Sequence, residues 1–84
     1  MESYIIMCRT ITYAQRAQRL LDRAGIRANI VKAPQGLTSE GCSYGIKVSK
    51  AKGHRTTEIM RGAGIKLGKS FYQSPDGEIR EIEI

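Results

Sequence analysis

The segment from Tyr13 to Ala24 constrains the fold more than any other stretch of the chain. Tyr13, Ala17, Leu20, Leu21 and Ala24 recur at i, i+4, i+7, i+8 and i+11, which is one face of an α-helix. Gln15, Arg16, Gln18, Arg19, Asp22 and Arg23 fill the other face. Thr10 or Thr12 supplies the N-cap, because a hydroxyl oxygen can accept from the unpaired N–H groups of the first turn. Gly25 stands where a left-handed C-cap is wanted, and Ile26 can fold back on the last turn. Such a helix needs an apolar surface to lie on. Ser3 to Cys8 is rich in Ile and reads as a central strand buried on both faces. Arg27 to Lys32 reads as a second strand, stopped by Pro34.

Pro34 to Gly41 has the composition of a loop. Tyr44 to Val48 alternates and predicts a third strand. A second helix is expected from about Lys52 to Gly62, with Ile59, Met60 and Ala63 inward and Gly62 and Gly64 at its end. Lys69 to Gln73 is a strand, and Ser74-Pro75-Asp76-Gly77 is a tight turn. Glu78 to Ile84 is a last strand, at an edge, because Ile82 and Ile84 alternate with Glu81 and Glu83. The order predicts an α+β fold, the ferredoxin-like βαββαβ sandwich with an extra C-terminal strand, in a single domain over residues 1–84. Right-handed crossover makes the first two strands parallel. Taken as neighbours, they end on the same side. That places the loop from Pro34 to Cys42 beside Cys8 and the start of the first helix.

With one Phe, four Tyr and no Trp in 84 residues, the core has to be aliphatic. Ile5, Ile6, Leu20, Leu21, Ile30, Val31, Ile46, Val48, Ile59 and Ile82 supply it. Two cysteines are too few for a disulfide framework of the small secreted kind. No apolar stretch approaches the ~18 residues that span a bilayer. The N-terminus has neither the basic flank nor the small-residue cleavage site of a signal peptide. A cytoplasmic location with reduced thiols is expected. The net charge of +6 suits an anionic partner, nucleic acid or an acidic protein, although scattered basic residues also serve solubility.

Enzyme chemistry has little to stand on. There is no Ser-His-Asp set, paired-carboxylate constellation or phosphate-loop motif. His54 is the only histidine and no CxxC exists, so neither a metal nor a cofactor is expected. The thiols remain. A thiol reacts as thiolate. Cys8 precedes a helix N-terminus, with Arg9 adjacent and Lys32 expected nearby, and each of these favours negative charge. Cys42 sits in Gly41-Cys42-Ser43-Tyr44-Gly45, where the glycines leave the backbone uncrowded and the sulfur approachable. A buried cysteine also serves simply as a small hydrophobe, and Cys8 on an apolar strand fits that description. Arg16, Arg19 and Arg23 form a helical stripe that is either a solvated face or a docking surface. Tyr4, Tyr44 and Phe71 could stack RNA bases from an open sheet face, but the RNA-binding aromatic signature is missing.

The stretch Met7-Cys8-Arg9-Thr10-Ile11-Thr12-Tyr13-Ala14-Gln15-Arg16-Ala17, then Leu20-Leu21, Ala24-Gly25-Ile26, Ala33-Pro34-Gln35-Gly36-Leu37 and Gly41-Cys42-Ser43-Tyr44-Gly45, resembles the selenium/sulfur carrier-like family of small bacterial domains. The resemblance covers about the first half of the chain. It implies a cysteine that holds sulfur or selenium as a persulfide or selenosulfide and passes it between proteins. Cys42 matches the loop position of the carrier. Cys8 is then a resolving thiol or packing. Arg9, Lys32 and Lys47, with Gly41 and Gly45 around the loop, would stabilise the anionic perthiolate, and a cysteine desulfurase or another relay protein would be the partner. The competing expectation is a non-enzymatic binding module that recognises an acidic protein or RNA through Arg16 and Arg19.

Overall fold

Ile-rich chain adopts extended backbone readily because branched side chains pack well on a pleated surface. In the computed structural model, which describes residues 2–8, 10–32 and 44–83, that segment is strand β1 (Ser3–Cys8). It is followed by α1 (Ile11–Arg23), β2 (Asn29–Lys32), β3 (Tyr44–Ser49), a 3-10 turn (Lys50–Lys52), α2 (Gly53–Gly62), β4 (Leu67–Gln73) and β5 (Ile79–Ile82). This is the βαββαβ order with a fifth strand added. No helix among the described residues is long and apolar enough to cross a membrane.

The five strands form one sheet in the order β2-β3-β1-β4-β5, and every pairing is antiparallel. β1 is central and β5 is at an edge, as the burial patterns of their sequences require. The expectation that β1 and β2 are neighbours is wrong. Both run antiparallel to β3, so they point the same way, but β3 lies between them. The crossover is split by a later strand, which pairs with both.

α1 starts at Thr10, whose Oγ1 accepts from the N–H of Tyr13 at 3.2 Å. It ends with the N–H of Ile26 donating to the carbonyl of Leu21 at 2.8 Å and that of Gly25 to Asp22 at 3.0 Å. Gly25 has φ +79°, which L side chains resist. α2 ends the same way: Ile65 donates to Met60 and Gly64 to Arg61, each at 3.0 Å, with Gly64 at φ +76°. The two helices thus close on the same tripeptide, Ala24-Gly25-Ile26 and Ala63-Gly64-Ile65, and both Ile26 and Ile65 are buried.

The core has two parts. On the helix side, Ile6, Cys8, Ala14, Ala17, Leu21, Ile46, Val48 and Met60 pack with Ile26, Ala28 and Ile65. On the opposite face of the sheet, Ile5, Met7 and Phe71 cluster, with Val31 and Ile79 against them. Each large side chain fully buried here contributes about 1.5–3 kcal/mol. The inward stripe of α1 is rotated by one residue from the expected one. Ala14, Ala17 and Leu21 are buried, whereas Tyr13 is 36% exposed and Ala24 is exposed. The small alanines let the helix approach the sheet closely. Leu20, Ile30, Val31, Ile59 and Ile82, expected in the core, are half-buried.

Candidate functional site

Cys8 ends β1, and the parity of the strand turns it to the helix side, where its relative exposure is 0%. The buried thiol donates to the carbonyl of Ile6 at 3.9 Å. Cys8 stands opposite Tyr44 on β3 and Leu67 on β4. The pairing with β4 shifts register between Ile6 and Cys8, where β4 bulges at Gly68, whose backbone lies against Met7.

Lys32 ends β2, also opposite Tyr44, and is exposed. Cys8, Tyr44 and Lys32 therefore form one row across three strands. The two ends do coincide, but Lys32 is two strand spacings from Cys8, roughly 10 Å. Its charge meets Tyr44 before the sulfur. Lys47, expected to help hold a perthiolate, pairs with Ile5 and Asn29. Strand alternation turns it to the face opposite Cys8. Gly45 is buried, and a Cβ there would lie 2.8 Å from Met7 Sδ and 3.0 Å from the Ile6 carbonyl oxygen. Close packing of β3 on β1 demands this glycine. Cys42, Arg9 and Gly41 lie outside the described residues.

Arg16 and Arg19 are exposed on α1, and neither joins an ion pair among the described residues. On the buried side of the same helix, Gln18 Nε2 donates to the Ala28 carbonyl at 3.0 Å, tying α1 to the approach to β2. Tyr4 and Tyr44 pack on the helix side of the sheet and Phe71 is buried on the other. The three aromatics do not share a face on which bases could stack. His54 is exposed and pairs with Glu58 at 3.5 Å, one turn along α2. Among the described residues no three His, Cys, Asp or Glu gather as metal ligands would.

The opposite end of the sheet, which sequence reasoning left unremarked, is polar. The Glu2 carboxylate accepts from the Tyr72 hydroxyl and pairs with Lys50 Nζ at 3.3 Å. Lys50 and Arg80 lie 5.6 and 5.5 Å from the centroid of the Tyr72 ring, and Tyr4 meets that ring edge-on at 6.2 Å. The hydrogen bond from Tyr72, then that from Lys50, holds the Glu2 carboxyl below its usual range, and the bond to Glu2 raises the Tyr72 phenol. Beside this network a cavity of about 570 Å³ is lined by Ser3, Asn29, Ser49, Arg27, Lys47 and Lys52, with Gly25 and Val48. These residues come from separate elements, so no linear motif marks them.

A family model described as "Putative Se/S carrier protein-like" matches residues 3–72 of the 84. No curated protein and no solved structure matches the chain.

Proposed function

Since the chain belongs to the Se/S carrier protein-like family, we propose that it carries sulfur or selenium on Cys42. The observation that carries this reading is the family match itself, whose span of residues 3–72 includes Cys42. The complete burial of Cys8 adds to it, because a sulfur without solvent access is poorly placed to receive an atom from another protein.

The transfer is an exchange at sulfur. The Cys42 thiolate attacks the outer sulfur of a donor protein's persulfide. The donor's S–S bond breaks as the new S–S bond forms, and the donor leaves as a thiolate. The outer sulfur keeps its proton, so Cys42 becomes the persulfide Cys–S–SH. The same exchange, run toward an acceptor thiol, releases the atom and restores Cys42. In this reading Cys8 contributes packing, and a cysteine desulfurase is the natural donor for sulfur.

The test is to incubate the protein with a cysteine desulfurase and cysteine, then map added mass onto each thiol. We expect one added sulfur on Cys42, retained in Cys8→Ala and lost in Cys42→Ser. Equal loading of Cys42→Ser, or no loading of the wild type, would sink the proposal.

A second reading has its own support, the exposed Arg16 and Arg19, which join no ion pair among the described residues. They suit an acidic protein surface, and the dispersal of the aromatics over both faces disfavours RNA. Binding that ignores both salt and Arg16→Gln/Arg19→Gln replacement would dismiss this role.

A further inference from the structure

The cavity at the Ser3 end of the sheet collects positive charge. Arg27 reaches it from the connection between α1 and β2, Lys47 from the middle of β3, and Lys52 from the turn before α2. No carboxylate lines it among the described residues. The described ion pairs use Lys50, His54 and Lys69 instead. Glu2, next to Ser3 in sequence, is engaged with Tyr72 and Lys50. Asp22 lines a neighbouring cavity with Arg27 but forms no ion pair with it.

We propose that this cavity binds a phosphate group. The sheet register explains the convergence. Asn29 is directly opposite Lys47, and Ser3 is directly opposite Ser49. One cation of the strand pair is thus bracketed by an amide and two hydroxyls, all of which can donate. Arg27 offers a planar fork that fits two phosphate oxygens, and the two lysines add compact charges. Like charges held together repel, so an anion that bridges them is stabilised by the arrangement. At about 570 Å³ the space is of the size that holds small-molecule ligands, larger than a bare phosphate needs. A single-stranded nucleic acid would also want aromatic platforms along the same surface, and no aromatic residue lines this cavity among the described residues. A phosphorylated small molecule, or free phosphate, is therefore the occupant we assign. The site lies five residues along β1 from Cys8, roughly 16 Å away. It is separate from the chemistry proposed for the thiols.

The test is titration of the full chain with inorganic phosphate and, separately, with adenosine monophosphate, at constant ionic strength, followed by backbone amide shifts. Saturable shifts are expected at Asn29, Lys47, Ser49 and Lys52. Tighter binding of the nucleotide assigns a phosphate ester, and equal binding assigns free phosphate. Lys52→Gln, an exposed and structurally harmless change, should weaken binding about tenfold, as should Lys47→Gln once its spectrum shows the native dispersion. Arg16→Gln/Arg19→Gln should leave it unchanged. Shifts that never saturate would overturn the proposal. So would equal sensitivity to the Arg16 and Arg19 changes, or an oligoribonucleotide that binds these residues more tightly than either ligand.

Discussion

At its C-terminal end β1 is dry: Met7 and Cys8 are wholly buried, and Gly45 on β3 lies hard against Met7 Sδ and the Ile6 carbonyl. At its N-terminal end the same strand emerges among charges, with Glu2 bound by Lys50 and Tyr72 and the cavity of Arg27, Lys47 and Lys52 alongside. Six residues of one strand thus pass from a polar network to close packing. The contrast teaches that a cation whose charge suits a thiol need not lie near that thiol in space. Lys47 suits a perthiolate on charge alone, yet strand parity gives it to the other face, at the cavity.

The largest effect on this contrast should come from Met7→Ala. Truncating a fully buried methionine leaves a cavity at the dry end, and a loss of about 2–5 kcal/mol is expected by denaturant titration. A loss no greater than that of a surface change would show that this end is not closely packed. Gly45→Ala tests the same spot from the opposite side. The added methyl overlaps Met7 Sδ and the Ile6 carbonyl, so about 1–3 kcal/mol should be lost. Because truncating Met7 makes room for that methyl, the double variant should be less unstable than the sum of the two. Additivity would break the packing account.

The smallest effect belongs to the polar end. Glu2 is only half-buried and its ion pair with Lys50 is open to solvent, so Glu2→Gln should shift Tm only slightly at neutral pH. Its carboxyl is held below the usual 4.5, first by Tyr72 and then by Lys50. The stability it contributes is therefore complete above that value and is lost as pH falls through its lower folded value. The difference between wild type and Glu2→Gln should vanish in acid. Tyr72 has the opposite sign: its phenol is raised above 10.0, mainly by the bond to Glu2. Its contribution is complete below that pH and is lost as pH rises through the higher folded value. Phenolate absorbance should show Tyr72 ionising earlier in Glu2→Gln, and coincident titrations would mean that the pair does not exist in solution.

Much of the architecture was legible. β1 was readable to the residue, because an unbroken Ile-rich run bounded by polar residues has few other fates. The edge position of β5 followed from Ile82 alternating with Glu81. The face of α1 was misjudged by one residue, because Tyr13 is apolar enough to count inward although Ala14 does the packing. The candidate site was less legible. Cys42 and its flanking glycines are visible as a motif, and the family match spans them. The basic cavity had no signal at all, since Ser3, Arg27, Lys47 and Lys52 meet only through the sheet.

What the sequence determined by itself is local. A cap at Thr10 or Thr12, a helix end at Gly25 and another at Gly62 and Gly64 follow from hydrogen bonds within a few residues, and the structure uses Thr10, Gly25 and Gly64. Only the tertiary structure decided which strand separates β1 from β2, that Cys8 faces the helices, and that Lys47 does not. Strand order is set by pairing between residues far apart in the chain, and a side chain's face is set by register, where a slip of one residue reverses every assignment.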